Sequence, residues 1–243
     1  MINRKKTLGI IGGMGPMATS YFLELLVRLS NVKLEQDHLD SIVYNMPSIP
    51  DRTKYIEGKS TENPIDKIKS IIESLNKQGV DYIAMPCLTA HPFLKKLNDT
   101  SNVKIINVVD EISKYLDKNN VKSVGIMATT GTIESNIFQT YLKRNGIACF
   151  LPEKEYQNKL MELIYTDIKY SNEINIDKFK DIAKHLQTKG IERIILGCTE
   201  LSLINRNYKL DKTYVDAMEV LAVRALAIGG IPIKEQYKEL YGD

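Results

Sequence analysis

Two cysteines occupy matching positions in the chain. Cys87 follows the apolar run VDYIAMP and leads into LTAH, while Cys198 follows IERIILG and leads into TEL. Each run is rich in β-branched residues, stops at a small or turn-forming residue, and presents a thiol with Thr89 or Thr199 within two positions. Ligands of a parallel α/β sheet bind at the carboxyl ends of its strands, so two strand-end thiols can face one pocket. A thiol with an ordinary pKa of about 8.5 yields more thiolate when turn amides point at it. A pair flanking one carbon can remove a proton from one face and return one to the other, which is general acid–base catalysis with roles exchanged by direction. Alone, a strand-end cysteine is often a small buried hydrophobe; its recurrence in the same setting weighs towards chemistry. The third, Cys149, sits in an apolar run and reads as core.

Other motifs offer less. Gly13-Met-Gly15-Pro-Met-Ala18 has the G-x-G-x-x-A form of a dinucleotide site. However, the next expected strand ends YNMP without a carboxylate for a ribose, and Pro16 removes an amide donor. A helix N-terminus that binds a small carboxylate accounts for the glycines as well. Cys87 and His91 are four apart, as helix-borne metal ligands can be, but His38 and His185 complete no ligand motif. No metal is assigned, and His91 reads as a helix-start residue that orients its neighbours. Serine-hydrolase elbows and P-loops are absent.

The 243 residues carry 33 basic and 30 acidic side chains, interspersed, with no basic stripe, which argues against a nucleic-acid partner. A hydrophobic fraction of 43% supports a folded core. Three widely spaced cysteines make no disulfide framework and fit a reducing cytoplasm. Arg4, Lys5 and Lys6 precede an uncharged segment, but Gly12, Gly13, Gly15 and Pro16 interrupt it where a signal peptide needs an apolar helix. The run Ala217 to Ile228 contains Glu219 and Arg224 and is too short to span a bilayer.

The elements that must position the thiols follow from periodicity. Strands are expected at Thr7 to Ile11, Ser41 to Met46, Val80 to Met85, Lys104 to Val109, Val121 to Met127, Ile147 to Leu151 and Ile191 to Leu196. Helical stripes include Phe22, Leu25, Leu26, Leu29; Ile65, Ile68, Ile71, Ile72, Leu75; and Leu160, Leu163, Ile164, Ile168. Pro16, and Asn63 with Pro64, mark helix starts, and Asp110 is the expected cap of the next helix. A single helix is expected through Ile133, Ile137, Phe138, Tyr141 and Leu142, ending at Gly146. The polar stretch SIPDRTKYIEGKSTENP reads as a binding loop or lid. GIIGGMGP at Gly9 and GIMATTGT at Gly125 are 116 apart, and the two cysteines 111, which argues for an internal duplication.

Taken together, IGGMGPMAT, IPDRT, MPCLTAH, ATTGTI and GCTEL resemble the cofactor-independent aspartate/glutamate racemases, in the family's order over nearly the full length. The resemblance implies two pseudo-symmetric α/β domains, each a mainly parallel sheet flanked by helices, with the active site in the cleft between them. Their expected extents are 1–110 with 214–243, and 111–213. It implies racemisation of aspartate, or of glutamate, without pyridoxal phosphate or another cofactor, with Cys87 and Cys198 as the bases and commonly a homodimer. It places Met14, Thr89, Thr129, Thr130 and Thr199 around the substrate's backbone end, and Arg52 and Lys169 on its side-chain carboxylate. A guanidinium suits bidentate carboxylate recognition, and a lysine adds a flexible point charge. Leu88 departs from the asparagine the family commonly carries there, removing an amide donor. That departure keeps two alternatives in view: a related isomerase or decarboxylase acting on a diacid, such as a maleate isomerase, and a non-catalytic ligand-binding relative.

Overall fold

The computed structural model describes residues 5–171 and 173–240. The expected first domain's ends at 1–4 and 241–243 lie outside them. Strand β1 (Thr7–Gly12) leads through the glycine turn into helix α1 (Pro16–Leu29), with Pro16 in its first turn, and β2 (Asp40–Asn45) follows. The polar stretch after β2 is not all loop. Asp51 caps a short helix, α2 (Arg52–Ile56), by accepting from the Thr53 and Lys54 amides. Helix α3 (Pro64–Lys77) is capped by Asn63 as expected and lays its isoleucine stripe inward. Strand β3 (Tyr82–Ala84) delivers Cys87 into a 3-10 turn, Leu88–Phe93, and α4 (Leu94–Asn98).

Two expectations change next. Lys104 to Val109 does not form a full strand: only a parallel bridge joins Ile105 to Ile83. Val108 and Val109 already belong to α5 (Val108–Lys118), because Asn107, three residues before Asp110, accepts from the Asp110 amide and starts the helix. Apolar β-branched residues satisfy either state locally, and the cap decides between them. Strand β4 (Ser123–Met127) then opens the second cycle, but the single helix expected after it is two, α6 (Thr130–Glu134) and α7 (Ile137–Arg144). Asn136, with φ +56°, breaks the path between them. Strand β5 (Ala148–Phe150) precedes α8 (Lys154–Glu162), which widens into a π-helix at Leu163–Tyr170, and α9 (Ile176–Gln187) follows. Strand β6 (Arg193–Leu196) delivers Cys198 into α10 (Thr199–Tyr208), and β7 (Tyr214–Asp216) leads into α11 (Ala217–Gly229).

Two parallel sheets result, ordered β2-β1-β3 and β5-β4-β6-β7. The bridge at Ile105 extends the first sheet past β3 where β7 extends the second past β6, so the halves share one strand order. This is the duplication that the repeated landmarks imply. The helices after these last elements trade sides: α11 packs on α1, α5 packs on α7, and α5 and α11 lie against each other. Strand β7 stays hydrogen-bonded to β6 in the second sheet, and only from Ala217 does the chain cross to α1 and β1, where Tyr82 donates to the Ala225 carbonyl (2.7 Å). Helix α11 is buried on nearly all sides, which explains an apolar run that is not a membrane span. Among the described residues no helix is long and apolar enough to cross a bilayer.

Candidate active site

Each half presents its glycine or threonine turn and its cysteine at the carboxyl ends of two adjacent strands, β1 and β3 in one sheet and β4 and β6 in the other. The ends meet. A cavity of about 10 Å³, space for about one water, is lined by Met14, Arg52, Thr53, Cys87, Leu88, Thr89, Thr129, Tyr165, Lys169, Cys198, Thr199 and Glu200. Both thiols are buried, Cys87 at 4% exposure and Cys198 at 6%. Met14 reaches the cavity because Gly13 turns at φ +93°, where a Cβ would stand 2.3 Å from the Met46 carbonyl carbon.

The seam between the halves is hydrogen-bonded at this point. The hydroxyls of Thr89, Thr129 and Thr132 form a triangle with sides of 3.0 Å, one corner from the first half and two from the second. Gly131 lies so close to α2 that a Cβ would stand 2.8 Å from Thr53 Cα. Across the mouth, the Tyr165 hydroxyl reaches the Asp51 carboxylate at 3.3 Å, tying the π-helix to the cap of α2. Helix α2 bears Arg52 and the π-helix bears Lys169, so this contact joins the supports of the two cations.

The cations are held differently. Arg52 is buried and donates to the carbonyls of Pro50 (3.0 Å), Met14 (3.2 Å) and Ile49 (3.4 Å). Burial works against its charge, but Cys87 beside it, together with Asp51 and Tyr165, more than compensates, and its pKa is raised. Lys169, its side chain 26% exposed, sits 3.6 Å from Glu200 Oε1 and 4.3 Å from the centre of the Tyr165 ring. Burial lowers its pKa, and Glu200 with both thiols and Tyr165 raises it by more. Lys169 is no ordinary solvated surface cation.

The second thiol has its own partner. Cys198 donates to Glu200 Oε2 at 2.9 Å, and the Thr199 hydroxyl reaches the same oxygen at 3.3 Å. Burial and then the Glu200 carboxylate push the Cys198 thiol well above its ordinary value, with Lys169 pulling the other way. His91 supports the first thiol's turn: its Nδ1 lies 3.0 Å from the Cys87 carbonyl oxygen, and burial pushes the imidazole down to about 4.

Of the residues expected at the site, Cys87, Cys198, Met14, Arg52, Thr89, Thr129, Lys169 and Thr199 line the cavity. Thr130 does not. Its amide points at the Met161 sulfur (3.2 Å) and its hydroxyl accepts from Gln157 (3.3 Å), because it begins α6 one position past the turn. Sequence reasoning passed over Glu200, Tyr165, Thr53 and Thr132. Glu200 carried a signal, an acid two residues after a strand-end thiol; Tyr165, in the stretch LIYTDIK, carried none. Leu88 is buried and forms part of the wall. Beyond Met14, Arg52, Lys169 and Glu200, which line both spaces, opens a chamber of about 530 Å³ walled by the first turn of α1, Ile168 and Leu203. Its size is that of a small-molecule site.

Fold and cavity together define a two-sheet α/β protein in which thiols from both halves of a duplicated chain line one cavity. Residues 11–225 match the Asp/Glu/hydantoin racemase family. The broad-specificity amino-acid racemase RacX of Bacillus subtilis is 26% identical, over 88% of this chain and 94% of its own. A glutamate racemase of Hydrogenobaculum is 31% identical over 76% of this chain and 69% of its own. The solved structure of the Picrophilus torridus aspartate racemase superposes with a TM-score of 0.83 at 28% identity, covering 97% of this chain and 99% of that one. The glutamate racemase of Francisella tularensis shares the fold, with a TM-score of 0.64 at 18% identity over 92% and 81%. The chain belongs to the Asp/Glu/hydantoin racemase family and is an amino-acid racemase of its pyridoxal-phosphate-independent kind.

Proposed function

We propose that the protein interconverts L- and D-aspartate, and glutamate less readily, by proton transfer between Cys87 and Cys198. One observation carries this reading: two thiols from separate sheets line one cavity with Arg52 and Lys169. In one direction the Cys87 thiolate takes the α-proton, the electron pair is held on Cα and its carboxylate, and the Cys198 thiol delivers a proton to the opposite face. In the other direction the roles exchange. Arg52 and Lys169 receive the side-chain carboxylate, and the threonine hydroxyls face the backbone end. Leu88 offers that end no hydrogen bond, so the hydroxyls of Thr89, Thr129 and Thr199 carry its recognition.

The test is α-proton exchange in heavy water with L- and D-aspartate and with both glutamates, without added cofactor. Aspartate should incorporate deuterium and appear as both enantiomers. Cys87→Ser and Cys198→Ser should each stop interconversion while leaving exchange from one enantiomer, a different one in each variant. No exchange from any of the four substrates by the unaltered protein would falsify the reading.

A further inference from the structure

A further cavity, of about 420 Å³, lies away from the thiols and shares no lining residue with either space around them. Helices α1, α10 and α11 build its floor, and the loop after α10 and the C-terminal turn at Glu235–Leu240 build its rim. Tyr21 stands in the floor at 2% exposure, and its hydroxyl makes no hydrogen bond to another described residue. The charges that act on this hydroxyl are those of Asp216, Glu219, Arg28 and Glu24, and burial with the three acids keeps it protonated. A buried phenol ordinarily finds a partner, so one left open beside a cavity of ligand size marks a place for a ligand. Two carboxyls flank it. Asp216, the cap of α11, already accepts from Ser202 (2.6 Å), Asn205 (3.0 Å) and the Met218 amide (2.9 Å). Glu219, three residues further along, lines the cavity, and burial with the Asp216 charge pushes its carboxyl up to about 8 against the pull of Arg28 and Asn205. Neighbouring acids shielded from water favour one negative charge between them, and an incoming cation relieves their repulsion.

The rim is richer in cations. Arg28 and Arg206 share one acid, Glu24 (3.2 and 2.6 Å), Lys212 is matched by Glu239 (2.9 Å), and Asp211 is held by the Thr213 amide (2.8 Å). Lys209, which ends α10 at φ +47°, lines the cavity and pairs with no acid among the described residues. We propose that this cavity is a second binding site, for a zwitterionic α-amino acid whose ammonium group lies among Glu219, Asp216 and the Tyr21 hydroxyl and whose carboxylate faces Lys209 and Arg28. The acids of the floor repel a simple anion, and a simple amine leaves Lys209 unmatched, so a ligand with both poles meets both ends of the cavity. The proposal uses the chain's place among amino-acid racemases and does not depend on the two-thiol mechanism. Helix α1 starts at the glycine turn and α10 at Cys198, so the helices of this floor also reach the thiol site.

Hydrogen–deuterium exchange of the full chain, read by peptide mass spectrometry, tests this with racemic aspartate, whose composition turnover does not alter. At about ten times its dissociation constant for the far cavity, aspartate should slow exchange in residues 19–29 and 205–219 about tenfold. Succinate, which lacks the ammonium group, should leave those segments unchanged. Tyr21→Phe removes one hydroxyl and Glu219→Gln keeps the shape of the protonated acid, so both variants should fold, and both should lose the slowing by aspartate at 205–219. Absence of slowing there in the unaltered protein, equal slowing by succinate, or slowing retained in either variant overturns the proposal. Segment 85–91, around Cys87, reports occupancy of the thiol site in the same samples. Slowing at 205–219 without slowing at 85–91 therefore supports the second site while counting against aspartate as the substrate, and the reverse pattern overturns the second site alone.

Discussion

Replacing Gly131 by alanine tests whether the site depends on how closely the two halves of the chain meet. A Cβ at Gly131 would stand 2.8 Å from Thr53 Cα, where ordinary contact begins at 3.4 Å, so α2 must retreat by about 0.6 Å. The obstacle is backbone, which cannot rotate aside as a side chain does. Arg52 precedes Thr53 in the same helix, and the threonine triangle lies on the same seam, so the retreat moves the guanidinium relative to Cys87. A displacement of about 1 Å in a reacting geometry can cost roughly a hundredfold in rate, and 0.6 Å accordingly predicts a loss on the order of tenfold. Stability is pulled both ways. Alanine favours a helix over glycine by about 1 kcal/mol, and overpacking costs about 1–3 kcal/mol. The net change should fall between nothing and about 2 kcal/mol destabilising. Turnover and KM from α-proton exchange, measured beside the thermal midpoint, separate the two effects. A folded Gly131→Ala protein that turns over within twofold of its parent would refute the dependence on close apposition.

Two further outcomes are expected. Lys169→Met removes one of the two cations assigned to the side-chain carboxylate; with a charge-assisted hydrogen bond contributing about 1.5–3 kcal/mol, KM for aspartate should rise roughly ten- to a hundredfold. An unchanged KM would remove Lys169 from substrate recognition. His91 gives a pH signature: burial holds its folded pKa at about 4 against 6.5 for the free side chain, so the unfolded chain binds the extra proton between those values. Its contribution is therefore complete above pH 6.5 and drains as the pH falls towards 4, amounting to up to about 3 kcal/mol. His91→Gln should flatten that part of the acid limb in denaturant titrations, and an unaltered slope would show that the ring is protonated in the folded protein.

The chain by itself determined the repeating pattern and the matched placement of the two thiols. Strand-end thiols, the glycine and threonine turns and the IPDRT stretch are local arrangements, and a strand's alternation or a capped amphipathic stripe is encoded within a dozen residues. That is why Cys87 and Cys198 were legible as a pair, whereas Arg52, Lys169 and the threonines were named only through the family resemblance that the motifs carry. Local signals were insufficient where two states compete on equal terms. Lys104 to Val109 has the β-branched content of a strand, but Asn107 starts α5 inside it. Thr130 has the composition of a site residue, but its helical position turns it towards Gln157 and Met161. Tertiary structure alone decided which chemistry surrounds each thiol. The guanidinium comes to Cys87 from 35 residues upstream, and Lys169 and Tyr165 reach the cavity through a π-helical turn that no periodicity announces. Glu200 was visible two residues past Cys198, yet its charge acquires meaning only because packing excludes water and brings Lys169 to its other oxygen. Electrostatic roles depend on distance and burial, and both are set by contacts between residues remote in sequence.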